Sequence, residues 1–403
     1  FAFLHVRADV VRDHADINHL EDSHMATRIT GQGDFIFSYC EDLSVLPEEA
    51  KPHEVNLHGG FAVDRLGEGY LYYGMPGCGL MRIRPDLTSQ EVIELPSDLK
   101  PVNFHSTKIV AFDGKRRIIL PANDDEKVVI IGLDGAVDYV LGRPEFEEYA
   151  DPDTPFRPTD AAAIGSRLYV ADGYGANYIS TADLATAKWG RTFAGITDDA
   201  DEQGKFGTAH GLNVVPGGHH HHHLSIADRP HARFQIFTPG GDFEEVYKLP
   251  DGSRPCGIDF HEVDGHPYGL VGSLDDPTPG RPAPIYILEA DTYRVVSTLR
   301  PKEDLGLNLV DHIHNTIWYE HDGRLFLVCQ AWRLGMPTSK VGRLGVNVGI
   351  DAVLGAVPLV GDLFDMAWKA NRRNVALLLD HLEAERRSRA DARPPSSMAV
   401  MPS

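Results

Sequence analysis

The sequence predicts an all-β protein: a six-bladed β-propeller followed by a C-terminal α-helical appendage. Three observations carry this. Glycine (39) and proline (27) are abundant, with short Val/Ile/Leu/Tyr runs between them, which marks many strands and turns rather than a helix bundle. Six segments repeat one pattern: a small or polar opening residue, a short apolar strand, a turn, and a second apolar strand. That pattern stops near residue 334. A chain of 403 residues can bury one large core and still carry an appendage.

Residues 1–33 are expected to be an N-terminal extension. The opening "FAFLHVRADVVRDHADINHL" has Arg, Asp and His too early for the apolar centre of a signal peptide. The propeller is assigned to 34–333. "GDFIFSYCEDL" is expected to supply a strand that closes the ring with the last blade. The six repeats are "NLHGGFAVDRLGEGYLYYG", "NFHSTKIVAFDGKRRIILPAND", "FRPTDAAAIGSRLYVADGYG", "TAHGLNVVPGGHHHHHLSIADRP", "SRPCGIDFHEVDGHPYGLVGSL" and "DHIHNTIWYEHDGRLFLVCQAW". Aligned on the opening residue, they begin at His58, His105, Thr159, His210, Cys256 and His314, 46 to 58 residues apart. A four-stranded blade takes about 40–50 residues, so each interval fits one blade with loop insertions. Residues 334–390 form the expected helical appendage. From Leu363 to about Arg389 the periodicity is helical, with Leu363, Met366, Ala367, Ala370, Asn374 and Leu377 near one face. Val346–Val360 is apolar and Gly-rich and is followed by a further helix-like run, but Pro358 interrupts it. It is shorter than the roughly 20 residues that span a bilayer. Contact with a partner or a membrane surface is the expectation for this appendage. Residues 391–403 are expected to be disordered.

The formal charge of -21 argues against a nucleic-acid partner, which needs a basic face. The four cysteines, Cys40, Cys78, Cys256 and Cys329, lie far apart with no CxxC. They do not form a disulfide scaffold, and a cytoplasmic location is expected, with secretion after leader removal as the alternative.

The opening residues of the repeats should converge at one mouth of the axial channel. His105, His210 and His314 fall on alternate blades, about 120° apart around a six-fold axis. Three imidazoles converging in this way make a three-histidine site for Zn2+ or another divalent metal, with a fourth position open. His58 and His312 are additional candidate ligands. His312 lies two residues before His314 on the same strand and so is expected to point the same way. The run His219–His223 falls in a turn of the fourth repeat. It reads as a solvent-facing loop that chelates metal adventitiously.

Repeats three and four share a Pro-Thr-Asp strand opening, a "DGY" turn, a histidine opening the next blade, and "ADR" followed shortly by Arg. In these features the chain resembles the lyase domain of peptidylglycine α-amidating enzymes, clearly over about 100–245 and more weakly to about 330. The resemblance implies a six-bladed propeller of the NHL-repeat type, with zinc on three histidines. It implies cleavage of a C-terminal α-hydroxyglycine to an amide and glyoxylate. By resemblance, His105, His210 and His314 match the zinc ligands. Tyr174 in "DGYG" matches a catalytic tyrosine, and Arg229 in "ADRP" matches a catalytic arginine. Where the family carries a further arginine, "EGYLYYGMPG" offers Tyr72 and Tyr73. Where it has His-Asp, the chain reads "HNTIW", which thins the donor set for a structural Ca2+. The segment "RLGMPTSKVGRLGVNVGIDAVLGAVPLVGDLFDMAWKANRRN" resembles the end of a family of uncharacterised bacterial proteins of unknown function. Two readings follow. One is a metal-dependent lyase or hydrolase acting on a small hydroxylated or carboxylated, or peptide-like, substrate. The other is a non-catalytic NHL-type binding scaffold.

Overall fold

The computed structural model describes residues 2–8, 28–40, 45–56, 59–308 and 310–332. The chain separates into two units, Phe1–Arg333 and Leu334–Ser403. The expected helical appendage and terminal tail lie outside the described residues, as does His58.

The first three strands are β1 (Ala2–Ala8), β2 (Ile29–Gln32) and β3 (Phe35–Tyr39). The first four-stranded blade is β4 (Ala62–Val63), β5 (Leu71–Met75), β6 (Gly79–Ile83) and β7 (Gln90–Ile93). The second is β8 (Lys108–Phe112), β9 (Lys115–Ala122), β10 (Lys127–Gly132) and β11 (Val137–Leu141). The third is β12 (Asp160–Ile164), β13 (Arg167–Ala171), β14 (Tyr178–Asp183) and β15 (Lys188–Ala194). The fourth is β16 (Ala209–Val214), β17 (Leu224–Asp228), β18 (Arg233–Phe237) and β19 (Phe243–Lys248). The fifth is β20 (Pro255–Val263), β21 (His266–Ser273), β22 (Ile285–Glu289) and β23 (Val295–Leu299). The chain then forms the hairpin β24 (His312–His321) and β25 (Arg324–Trp332).

The protein is thus an all-β propeller with five four-stranded blades. Six such blades were expected; the last repeat instead contributes its hairpin to a composite five-stranded sheet, ordered β2-β3-β1-β25-β24, whose other strands come from the N-terminal stretch. The strand expected from "GDFIFSYCEDL" is β3, and it does join the last hairpin's sheet. It does so through β1, which pairs antiparallel with both β25 and β3. Residues 1–33 were expected to be an extension outside the propeller. Two of this sheet's strands, β1 and β2, come from them instead. A signal lay in the alternation of "FAFLHV", but no tight turn links that stretch to a partner strand, so its pairing was not legible locally.

Side chains pack between sheets rather than within them. Six apolar clusters link neighbouring sheets in a closed cycle. Tyr72 and Leu80 meet Ile118 and Leu120 across the first and second blades, and Ile119 and Ile130 meet Leu168 and Val170 across the next pair. The cycle closes where Leu71 and Tyr73 pack on Tyr319 and Phe326 of the composite sheet. This explains the apolar runs. Central strands such as β17 and β18 are covered on both faces and buried throughout, whereas outer strands such as β11 and β15 carry exposed residues. The opening strands β8, β12, β16, β20 and β24 sit at sheet edges, each beside its counterpart in the next sheet, and surround the axis. Between β24 and the first blade, the Phe61 N–H donates to Asn315 Oδ1 at 3.2 Å.

Candidate metal centre

His105, His210 and His314 come together. All three are buried, and one ring nitrogen of each lies within 4.8 Å of the others. Their ring centroids form a nearly equilateral triangle with sides of 4.8, 4.8 and 4.9 Å. The rings are mutually edge-on, at 75° to 89°.

The strand openings produce this convergence. In β16 the register shifts between Ala209 and Leu212, and in β24 between Ile313 and Asn315. His210 and His314 sit in these bulges. A bulge adds a residue to one strand and re-aims its side chain. It also breaks the two-residue alternation on which the expectation for His312 rested. His312 turns away from the triad and donates Nδ1–H to the Leu274 carbonyl at 2.7 Å. Burial works against its charge, but Asp275 and that carbonyl outweigh it and hold its pKa above the ordinary histidine value.

The two openings that are not histidine have a role that sequence reasoning missed. His105 Nδ1–H donates to the carbonyl of Thr159 at 2.7 Å, and His210 Nδ1–H to the carbonyl of Cys256 at 2.6 Å. Each histidine is therefore oriented by the opening residue of the following blade. A carbonyl can only accept, so Nδ1 carries the proton and Nε2 the lone pair. This is the usual support for a metal-ligating imidazole. The signal was present in the alternation His, Thr, His, Cys, His. It needed the main-chain geometry to be read. Gly211 is required here, because a Cβ would stand 2.3 Å from the Cys256 carbonyl oxygen.

The donor set fits a metal. His210 Nε2 and His314 Nε2 are 3.2 Å apart. A tetrahedral zinc with Zn–N bonds of about 2.0–2.1 Å separates its nitrogen ligands by about 3.3–3.4 Å. Buried imidazoles facing one another at this spacing suit a borderline divalent ion better than a hard one.

Tyr174 and Arg229 join the same cluster. The Tyr174 hydroxyl lies 3.2 Å from His210 Nε2, and its ring stands edge-on to His105 at 4.9 Å. Arg229 Nη2 donates to the Tyr174 hydroxyl at 3.0 Å, with the guanidinium 5.3 Å from the ring centre. Arg229 is 2 % exposed. The loop carrying Tyr174 is built on Asp172, which is fully buried. Its carboxylate accepts from the Arg157 and Ala176 N–H groups and from the Tyr149 hydroxyl. Burial pushes its pKa up to about 7, against the pull of these hydrogen bonds. Arg229 follows Asp228 at the end of β17. This buried carboxylate accepts from the Gly207 N–H and from His231, Arg233 and Gln235.

Other expectations resolve differently. Tyr72 and Tyr73 are core residues between sheets, the latter donating to Gln90 Oε1 at 2.6 Å. All four cysteines are free thiols. The axial cavity beneath the triad, of about 210 Å³, is lined by Arg65, Lys108, Asp160 and Asp259 among others. Its carboxylates are already paired, Lys108 with Asp160 at 3.2 Å and Arg65 with Asp259 at 2.7 Å. Asn315, in the motif that departs from the amidating lyases, spends its side-chain oxygen on Phe61. This set does not fit Ca2+, which needs several uncommitted oxygens.

A family model described as "Domain of unknown function (DUF4112)" matches residues 323–382. This agrees with the C-terminal resemblance, and the match begins inside the β24–β25 hairpin. No curated protein matches the chain. Solved structures similar to it include a gluconolactonase from Xanthomonas campestris, at 12% identity and TM-score 0.45, covering 68% of this chain and 86% of that one. Virginiamycin B lyase from Staphylococcus aureus is similar at 14% identity and TM-score 0.42, covering 68% and 95%. The Pan2 WD40 domain of Neurospora crassa is similar at 11% identity and TM-score 0.42, covering 73% and 76%. Each is a likeness of fold and assigns no activity.

Proposed function

We propose that this propeller is a zinc-dependent lyase or hydrolase acting on a small substrate that carries a hydroxyl and a carboxylate. One observation carries the reading. Three buried imidazoles, a tyrosine hydroxyl and a buried guanidinium form one unbroken contact chain at the axis. A surface scaffold has no need to bury three imidazoles and a guanidinium around one half-buried tyrosine, since burying polar groups is costly unless they are paired.

His105, His210 and His314 would hold the ion. Bound there, it would supply Lewis acidity toward a hydroxyl or carbonyl oxygen. Tyr174 would take the proton from the substrate hydroxyl. Arg229 already donates to the Tyr174 oxygen, which orients it and favours negative charge on it. Its guanidinium would also select a carboxylate. For an N-acyl-α-hydroxyglycine, the class that the resemblance suggests, the hydroxyl loses its proton, a C=O bond forms and the C–N bond breaks. The amide nitrogen takes up the proton. The products are an amide and glyoxylate, with no redox change.

The test is glyoxylate release from N-acyl-α-hydroxyglycines by the full chain loaded with Zn2+. Activity that disappears in His210→Ala together with one equivalent of metal is the expected result. A His210→Ala chain that keeps its full metal content, or a loaded chain inert toward hydroxylated and ester substrates alike, overturns the reading.

A further inference from the structure

The five-histidine run was expected to be an exposed loop. His219, His221 and His222 are exposed, but His220 is 5 % exposed and His223 is half-buried. The turn is ordered by its backbone. The Val215 N–H donates to the His223 carbonyl, the His222 N–H to the Val215 carbonyl and the His223 N–H to the His220 carbonyl, each at 2.9 Å. His222 adopts the left-handed region, with φ 65°. These bonds turn His220 and His223 inward onto β19.

Two adjacent glutamates meet them. Neighbours on a regular strand point to opposite faces, yet Glu244 and Glu245 both reach His220. The reason is a register shift opposite Ile236 and Phe237, which makes Glu244 the extra residue of a bulge. His220 Nδ1 lies 3.3 Å from Glu244 Oε2, and His223 Nε2 lies 3.5 Å from the same oxygen. Each separation is close to the ligand–ligand edge of about 3.3–3.4 Å around tetrahedral zinc. On its far side, His220 Nε2 lies 2.8 Å from Glu245 Oε2, which is itself fixed by the Tyr247 hydroxyl at 2.9 Å. A carboxylate accepts, so Nε2 bears the proton. The buried Nδ1 then directs its lone pair at Glu244 and makes no hydrogen bond. A lone pair and a carboxylate oxygen repel at this distance unless a cation lies between them. A carboxylate holding the outer nitrogen of a metal-bound imidazole is the common supporting arrangement at zinc sites.

We propose a second divalent-metal site of the zinc class on the fourth blade, with His220 Nδ1, His223 and Glu244 as ligands and Glu245 as the residue orienting His220. Water completes the coordination, and the ion fastens the β16–β17 turn to β19. The site is separate from the axial triad and does not depend on the activity proposed above.

The test uses the full chain with His219, His221 and His222 replaced by Asn, titrated calorimetrically with Zn2+ in a His210→Ala background. One equivalent is expected to bind and to slow amide exchange over residues 215–224. Glu244→Gln and His220→Ala should each weaken it by at least tenfold. With His210 intact, the same substitutions should remove one equivalent from the total. Failure to bind after the three Asn replacements would show that the exposed run merely chelates. Binding unchanged by Glu244→Gln would overturn the ligand set. Absence of any zinc response even with all five histidines present would overturn the site and mean that a proton, on an imidazolium between two carboxylates, fills the gap instead.

Discussion

Tyr174 reaches the histidines because Asp172 folds the loop beneath it. Gly175 lies so close to that carboxylate that a Cβ would meet Asp172 Oδ1 at 2.1 Å. Tyr174→Phe keeps the ring and removes only the hydroxyl. It is expected to leave axial zinc content unchanged and to lower kcat by about 10²–10⁴, the usual worth of a positioned acid or base. Glyoxylate release and metal analysis on the same sample check this. Asp172 gives a pH signature. Its pKa is raised from 3.8 to about 7, first of all by burial. Between those values the folded chain keeps a proton that the unfolded chain has lost. Its stabilising contribution is therefore complete at the acid end and is lost as pH rises through about 7. Urea midpoints measured from pH 4.5 to 8 should fall across this window, and Asp172→Asn should remove that component of the slope. The substitution should also cost about 1–3 kcal/mol, because an amide nitrogen replaces one accepting oxygen.

At the level of the element, the strand openings determine whether three histidines become one site. Gly211 separates the bulge at His210 from the backbone of the fifth blade, and a Cβ there would lie 2.4 Å from Gly257 Cα as well as against the Cys256 carbonyl. Backbone on both sides cannot yield as a side chain would. Gly211→Ala should cost about 1–3 kcal/mol of overpacking, and its displaced carbonyl should weaken zinc binding about 10–100-fold. Gly142→Ala, which meets nothing within 4 Å, is the control. Unchanged zinc affinity in Gly211→Ala would show that the carbonyl does not orient His210. The same openings explain what was legible in the sequence. His105, His210 and His314 could be found because the repeat spacing is a one-dimensional quantity. His312 was misplaced because a bulge cancels alternation without leaving a composition mark. The bonds from His105 and His210 to Thr159 and Cys256 were invisible because they use main-chain carbonyls, which every residue has. His220 was hidden because its burial depends on a bulge in a strand 20 or more residues downstream. The place of β1 in the composite sheet escaped, although β3 was expected there, because β1 and β25 lie at opposite ends of the propeller's sequence.

For the whole molecule, the ring links stability to the axial site. His105, His210 and His314 sit on the second blade, the fourth blade and the composite sheet, so an ion bound among them would cross-link alternate sectors. Those sectors are otherwise joined by apolar packing between neighbours, and the composite sheet is itself held together by β1 pairing along β25 from Ala2↔Ala331 to Ala8↔Leu325. An ion at the proposed site would bind only where all three sectors are in place, and so would stabilise the closed ring and not the opened one. At free zinc a hundredfold above Kd this linkage amounts to about 2.7 kcal/mol. At roughly 2–4 °C per kcal/mol, the melting midpoint should rise by about 5–10 °C. Calorimetry should use a His220→Ala, His223→Ala chain, so that only the axial centre responds, and compare excess EDTA with excess Zn2+. A single transition moving upward as a unit is the expected outcome, and His210→Ala should abolish the shift. Protons compete with the ion for the imidazoles, so the gain should shrink toward acidic pH, opposite in sign to the Asp172 contribution. A zinc-induced shift that survives His210→Ala, or one that grows on acidification, would place the ion elsewhere in the molecule.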